Sequence, residues 1–303
     1  MIRTLACAVS LALLTQSMSA ADLVRNVRFK LSAGDLASGI ALAEDYKKAT
    51  GVDEEYLNAI GWIARGAEML DRPELAREAL AELHREIKSE TPAMLTPYGA
   101  AIEVEGRLLE RTEGRGAAMR YFDEQLALAK APSLRSRIRK NMNLLSMEGQ
   151  PAPAIEANDF VGTTAPPTLA SLRGKPVLLF FFAEWCGDCR GQAASLARVW
   201  QKYQSRGLAL LATTRLYSTP TDEKPMTPAE EKAQVAKVWS ENYKGLEDVP
   251  IVINTNAMIR YGASATPTFA LVDRKGIVRL YTPTRLSEAE LSRRIEGLLA
   301  EEP

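Results

Sequence analysis

The sequence is poor in the side chains that bind metals and haem. Its 303 residues include three cysteines and one histidine, whereas closed zinc and iron–sulfur sites are built from several such ligands. We therefore expect no metal site and no metal cofactor. An excess of charge of either sign is also lacking, because 38 basic residues balance 38 acidic residues. This balance provides no general positive field for nucleic acid, and we expect no nucleic-acid partner.

A long apolar run occurs at the N-terminus. Leu5 to Leu14 follow a single positive charge at Arg3 and precede the small residues Ser19, Ala20 and Ala21. This pattern is typical of a secretory signal peptide over residues 1–21. The run is shorter than the roughly 20 residues of a spanning helix, so we expect no stable membrane insertion after the signal is cleaved.

Removal of the signal peptide changes the cysteine count. Cys7 lies inside the apolar run and leaves with it, so the mature chain keeps Cys186 and Cys189. Secretion across the inner membrane, which we expect to end in the periplasm, brings this pair into a compartment where disulfides form.

Residues 22–149 contain helical signals in almost every segment and predict an all-helical domain of antiparallel helix pairs. Asp35 and Asp53 stand at positions where they can cap a following helix. Two helix pairs, around Ala76 and Ala118, weakly resemble tetratricopeptide repeats. The two alanines lie farther apart than the repeat length of about 34 residues, and a plain helical bundle is the alternative.

The composition changes near residue 150, where glycine and proline end the last of these helices. Strands and helices alternate from there to residue 303, which predicts an α/β domain over residues 150–303. The predicted strands are Val177–Phe182, Leu208–Ala212, Ile251–Ile253, Phe269–Val272 and Ile277–Tyr281.

Cys186 and Cys189 are two residues apart, at the point where a buried strand ends and a helix begins. A thiol at a helix N-terminus lies at the positive end of the helix dipole and near free backbone N–H groups, which stabilise a thiolate. Cys186 is the predicted attacking nucleophile. Cys189, one turn into the helix, is placed to resolve a mixed disulfide.

Other uses of a C-x-x-C pair fit less well. Structural zinc needs a second ligand pair, and haem attachment needs histidine where Arg190 stands. Copper-delivery domains of similar fold usually have wider cysteine spacing and a histidine. A structural disulfide is the remaining alternative, but closing so short a ring stabilises a fold very little.

From about Gly149 to Leu299 the sequence resembles the thioredoxin superfamily, and within it the extracytoplasmic TlpA/ResA-like thiol–disulfide oxidoreductases. The matching segments are Ala152-Pro153, Leu172-Arg173-Gly174-Lys175-Pro176, Phe182 to Cys189 and Ala265-Thr266-Pro267-Thr268.

The resemblance implies a thioredoxin fold in which Pro267 is cis and packs against the cysteine pair. The backbone of Thr266 would pair with an extended substrate segment, and Trp185, Gly187 and Asp188 would shape the substrate site. It also implies protein disulfides as substrates, a membrane thiol reductant upstream, and no cofactor beyond the redox-active Cys186–Cys189 disulfide.

The sequence departs from the family pattern at several positions. Phe180 stands where thioredoxins have a buried acid, so we consider Glu184, or alternatively Asp188, as the proton acceptor for Cys189. The charge of Asp188 between the two sulfurs disfavours thiolate and favours a reducing poise. Peroxiredoxins, which share much of this fold, have a threonine where Ala183 stands and lack a partner cysteine at the position of Cys189, so we do not expect a peroxidase.

Pro267 also lies farther from Cys189 than a minimal thioredoxin fold needs. The excess is the segment 215–248, with a helix capped by Thr227 that either packs on the sheet or shapes the substrate groove.

These observations predict a secreted, periplasmic enzyme that reduces protein disulfides by dithiol–disulfide exchange. Net oxidation or isomerisation with the same residues is one alternative. A helical-repeat adaptor with a secondary redox centre is another.

Overall fold

The structure, a computed structural model, describes residues 20–162, 165–219 and 223–301. Residues 1–19 of the predicted signal peptide, Cys7 among them, lie outside the described residues. Within the described ranges no helix is long and apolar enough to cross a membrane. The described chain forms two compact units, one ending at Glu86 and the other beginning at Ile87.

The first unit consists of four helices: α1 (Ala20–Ser32), α2 (Leu36–Thr50), α3 (Glu54–Met69) and α4 (Pro73–Glu86). The predicted caps form, because the Asp35 carboxylate accepts from the backbone N–H of Ser38 and the Asp53 carboxylate accepts from that of Tyr56. These bonds satisfy N–H groups that have no partner inside a helix.

The second unit begins with a 3₁₀ turn (Pro92–Met94) and three helices, α5 (Leu95–Glu113), α6 (Arg115–Leu128) and α7 (Pro132–Ser146). These helices therefore belong to the same compact unit as the sheet that follows. The sequence boundary near residue 150 marks the change from helices to alternating strands and helices, and its role as a domain boundary stays a proposal.

The sheet has six strands in the order β1-β4-β3-β2-β5-β6. They are β1 (Phe160–Val161), β2 (Val177–Phe181), β3 (Ala209–Thr214), β4 (Ile251–Ile253), β5 (Thr268–Val272) and β6 (Val278–Thr282). β2, β3 and β4 run parallel, while β1, β5 and β6 pair antiparallel with their neighbours. This mixed sheet, with helices on both faces, is the predicted thioredoxin fold.

The helices of this part are α8 (Gly187–Tyr203), α9 (Pro228–Asn242), α10 (Thr255–Arg260) and α11 (Glu288–Ala300). Successive side chains of each strand point to opposite faces of the sheet. Phe180 of β2 packs with residues of α8, α9 and α11, whereas Phe181 packs with residues of α10 on the opposite face. β2 is buried on both sides, as its continuous apolar run predicts.

Helix α9 lies within the extra segment 215–248. Its capping box forms at Thr227 and Glu230, and Val235, Trp239 and Tyr243 are buried in the same cluster as Phe180. Helix α9 of the extra segment therefore packs on the sheet.

Helix α7 packs closely against α10. Ser136 Oγ donates to the carbonyl of Met258 at 3.3 Å, and Asn143 Nδ2 donates to that of Arg260 at 3.0 Å. At Gly262 (φ +61°) a Cβ atom would lie 2.3 Å from the backbone nitrogen of Lys140. The lack of a side chain at Gly262 thus permits contact between the two backbones.

Candidate active site

The cysteine pair lies where the chain leaves the central strand. β2 ends at Phe181, and α8 begins at Gly187 with Cys186 as its N-cap. Both cysteines are buried free thiols. Sγ of Cys186 accepts from the backbone N–H of Cys189 at 3.1 Å, so the sulfur occupies the place of a capping oxygen. Negative charge on this sulfur is favoured there by the helix dipole and by the N–H group.

The segment before β5 lies beside Cys186. The Thr266–Pro267 peptide bond is cis, the form that the family resemblance implies. The Cys186 thiol donates to the carbonyl of Thr266 at 3.3 Å, and Pro267 is buried. Two segments that are distant in the sequence thus meet at the nucleophilic sulfur.

Cys189 is fully buried beneath this surface. Burial raises the pKa of the Cys189 thiol, and the hydrogen bond with Cys186 raises it further. A thiol held in its neutral form must lose its proton before it can attack a mixed disulfide, so the second half of an exchange reaction here needs a proton acceptor.

Glu184 is a buried carboxylate two residues before Cys186. Burial raises the pKa of the Glu184 carboxyl, nearby Glu231 raises it further, and Arg215 lowers it. Among the described residues its Oε2 atom has no hydrogen-bond partner. Burial also raises the pKa of Tyr217 to about 12, and Tyr217 lies within electrostatic reach of both Glu184 and Cys189.

Phe180, which replaces the buried acid of thioredoxins, belongs to an aromatic cluster. Its ring stacks on Phe182 with centroids 5.7 Å apart, and it contacts Trp239 and Tyr243 of the extra segment at 6.4 and 6.1 Å. The space behind the cysteine pair is therefore filled by rings from β2 and α9. Burial raises the pKa of Tyr243, with smaller contributions from the two cysteines.

The residues around the cysteines differ in exposure. Trp185 is 60% exposed and meets the ring of Tyr217 edge-on at 5.5 Å. Gly187 opens the helix, and the side chain of Asp188 is 72% exposed, 3.9 Å from a guanidinium nitrogen of Arg285.

Arg190 is the basic residue nearest to Asp188 along the sequence. In the structure Nη1 of Arg190 donates instead to the backbone carbonyl of Glu184 at 3.0 Å. Arg285 is therefore the cation beside Asp188.

The sequence reasoning did not assign Arg215 and Tyr217 to the site. Both follow β3, and the carboxyl ends of the parallel strands β2 and β3 meet at one edge of the sheet. Their position directly after β3 could therefore have predicted that they lie near Cys186. Within the described ranges no group of three or more His, Cys, Asp or Glu side chains is arranged to hold a metal ion.

Comparison with known proteins finds matches to the C-terminal half of the chain. The model of the AhpC/TSA family matches residues 148–281. The thioredoxin-like protein YneN of Bacillus subtilis is 24% identical over 150 residues, which cover 49% of this chain and 79% of YneN. The thiol–disulfide oxidoreductase ResA of Geobacillus thermodenitrificans is 26% identical over 152 residues, which cover 50% of this chain and 77% of ResA.

Among solved structures, a putative thiol:disulfide interchange protein DsbE from Chlorobium tepidum superimposes with a TM-score of 0.40 at 23% identity. The match covers 50% of this chain and 98% of that protein. The C-terminal half of the chain is thus similar in sequence to thiol–disulfide oxidoreductases of the ResA type.

Proposed function

We propose that this protein is secreted to the periplasm and there reduces protein disulfides through Cys186-Gly187-Asp188-Cys189. The observation that carries the proposal is the position of the Cys186 sulfur. It caps helix α8 and lies 3.3 Å from the carbonyl that precedes the cis-proline. A nucleophile at this point lies beside the backbone with which an extended segment would pair at Thr266.

The exchange proceeds in two steps. The Cys186 thiolate attacks one sulfur of the substrate disulfide, forms a mixed disulfide and releases the other sulfur as a thiolate that takes up a proton. Cys189 then loses its proton and attacks Sγ of Cys186, which releases the second substrate thiol and leaves a Cys186–Cys189 disulfide. Two electrons pass to the substrate. A membrane thiol reductant upstream then restores the dithiol.

The neighbouring residues have distinct proposed roles. Thr266 pairs with the substrate backbone, Pro267 packs against the cysteine pair, and Trp185 forms the exposed rim of the groove. Glu184 accepts the proton of Cys189. Its burial and its raised pKa support this role. An acceptor other than the buried acid of thioredoxins is needed, because Phe180 stands at the position of that acid.

The reducing direction is supported by the electrostatics of the pair. Strong oxidants of this fold have a reduced form that is stabilised as a thiolate. Here burial raises the pKa of Cys189, and Asp188 adds a negative charge between the sulfurs. We expect a reduction potential closer to the roughly −270 mV of thioredoxin than to the roughly −120 mV of DsbA.

Trapping the first intermediate tests the proposal. In the Cys189→Ala variant the mixed disulfide cannot be resolved, so substrate proteins should stay bound to Cys186 and should be released by a thiol reductant. The matched control, with Cys186→Ser added, should trap none. If no mixed disulfide accumulates on the single variant under oxidising conditions, the exchange mechanism is wrong. A protein that keeps its activity after Cys186→Ser alone would favour the adaptor function.

A further inference from the structure

The loop that follows β3 forms one side of the candidate active site. Residues 215–219 have no regular secondary structure, and the ring of Tyr217 meets that of Trp185 edge-on at 5.5 Å. Trp185 directly precedes the nucleophile Cys186. Both rings line a cavity together with Thr266, the residue with which a substrate segment would pair. The position of Tyr217 therefore determines the shape of the surface beside the pairing point.

A carboxylate from the extra segment binds the backbone of this loop. Oε1 of Glu231 accepts from the backbone N–H of Tyr217, and Oε2 accepts from that of Ser218 at 3.1 Å. Each oxygen thus takes one of two consecutive N–H groups. Backbone N–H groups outside a helix or a sheet need such acceptors, and a carboxylate is a stronger acceptor than a neutral group. These two bonds connect α9 to the backbone that carries the Tyr217 ring.

Glu231 is buried in the first turn of α9, whereas its neighbour Glu230 is exposed. The Glu231 residue is 1% exposed, and burial of a carboxylate is costly unless it is hydrogen-bonded. The first turn of a helix favours negative charge because of the helix dipole. Glu230 closes the capping box with Thr227. Two adjacent carboxylates therefore have separate contacts: Glu230 caps the helix, and Glu231 binds the loop.

Glu231 also lies within electrostatic reach of the ionisable groups of the site. Its negative charge raises the pKa of Glu184, and Arg215 lowers that pKa. The guanidinium of Arg215 stacks over the ring of Tyr217, 4.2 Å from its centroid. The loop, the carboxylate that binds it and the residues beside the nucleophile thus form one connected group.

From these contacts we propose that Glu231 is a positioning residue for substrate binding, which acts through Tyr217 and holds this side of the groove where an extended protein segment requires it. The inference rests on the proposed function and gives the extra segment a part in it. The hydrogen bonds of Sγ of Cys186 involve Cys189 and Thr266. Binding of a protein segment should therefore depend on Glu231, while the attack by the sulfur should not.

Two substrates that differ in size test the proposal. The full chain carries Cys189→Ala, so the reaction stops at the mixed disulfide and the proton transfer from Cys189 plays no part. One substrate is a synthetic peptide dimer joined by a single disulfide, and the other is hydroxyethyl disulfide, which has no peptide backbone. Thiol release at increasing peptide concentration gives a half-saturation concentration and a maximal rate. Hydroxyethyl disulfide gives a second-order rate constant.

Glu231→Gln should weaken peptide binding selectively. Its amide can accept from one backbone N–H group, but its NH₂ group then faces the other. We expect the half-saturation concentration for the peptide to rise about fivefold to tenfold. The maximal rate and the rate constant for hydroxyethyl disulfide should each change less than about twofold, because the interaction removed is one of binding.

Two further variants test whether the effect passes through Tyr217. Tyr217→Ala should raise the half-saturation concentration by a similar factor, and adding Glu231→Gln to it should have little further effect, because the two residues act as a unit. Glu230→Gln is the matched control, since it removes the same charge from the same turn while glutamine can still close the capping box. This control should keep the parent value. A half-saturation concentration does not depend on the amount of folded protein.

Each contrary outcome has a separate meaning. Equal losses for the peptide and hydroxyethyl disulfide overturn the inference, as does an unchanged half-saturation concentration in Glu231→Gln or in Tyr217→Ala. An equal rise in Glu230→Gln assigns the effect to the charge of the helix turn and also overturns it. Additive effects in the double variant overturn the action through Tyr217. If the parent reacts with neither substrate, the proposed function itself is wrong.

Discussion

Glu184 is a buried ionisable residue close in sequence to the nucleophile Cys186. Its effect on the free energy of unfolding therefore depends on pH. Its carboxyl has a pKa raised above 4.5, chiefly by burial. The folded protein therefore binds this proton more tightly than the unfolded chain does. The stabilising contribution is complete below pH 4.5 and is lost as the pH rises through the pKa of the folded state.

Glu184→Gln removes this pH dependence. At neutral pH the variant should be more stable than the parent, because it no longer buries a charged carboxylate, and below pH 4.5 this advantage should disappear. Urea unfolding at a series of pH values measures the effect. Glu241→Gln, at an exposed acid on α9, should change the free energy of unfolding by less than about 0.5 kcal/mol.

The same variant separates a structural from a catalytic role of Glu184. If Glu184 accepts the proton of Cys189, Glu184→Gln slows the release of product from the mixed disulfide about tenfold or more. It also removes the acidic limb from the pH profile of that step. A variant with altered stability but an unchanged pH profile for product release would contradict the proton-acceptor role.

Among the helices and strands, the contact between α7 and α10 depends most directly on one residue. Gly262 has φ +61°, and a Cβ atom there would lie 2.3 Å from the Lys140 nitrogen and 2.5 Å from its Cα. Because these neighbours are backbone atoms, they cannot move aside as a flexible side chain can.

Gly262→Ala should lower the free energy of unfolding by roughly 2–4 kcal/mol, through overpacking and a left-handed backbone combined. Gly174→Ala is the matched control, since Gly174 has φ +87° and open space around a Cβ position. It should cost only the conformational part, roughly 1–2 kcal/mol. Equal losses in the two variants would show that α7 adjusts its position freely.

The strands were predicted closely because their apolar runs are continuous. Ile251–Ile253 was predicted with its observed bounds, and the predicted Val177–Phe182 differs from β2 by one residue. β1 (Phe160–Val161) and α10 (Thr255–Arg260) were missed. Elements of two and six residues are too short to show a period of their own.

The candidate site also contains features that the sequence predicts and features that it does not. The cysteine pair and Pro267 could be proposed as site residues from the sequence because their motifs are local in the sequence. The packing of α7 against α10 was not predicted, because it depends on contacts such as that between Ser136 and Met258, which are distant in the sequence. Nothing in the pattern of α7 itself indicates which face meets α10.

At the scale of the whole molecule, composition and packing divide the chain at different places. The composition changes near residue 150, whereas the contacts divide at Glu86. The difference concerns α5, α6 and α7, which look like part of a helical domain in the sequence but pack in the same unit as the sheet. If the compact units also unfold as units, α5, α6 and α7 should unfold cooperatively with the sheet.

Hydrogen exchange of the full chain, followed by mass spectrometry, distinguishes the two divisions. We expect amides of α7 and β2 to share one opening free energy that differs from that of α2–α4, because contiguous packed elements open together. Gly262→Ala should then accelerate exchange in α7 and in the sheet by a similar factor and leave α2–α4 unchanged. Exchange of α5–α7 in common with α2–α4, at a rate independent of the sheet, would instead support a domain boundary at residue 150.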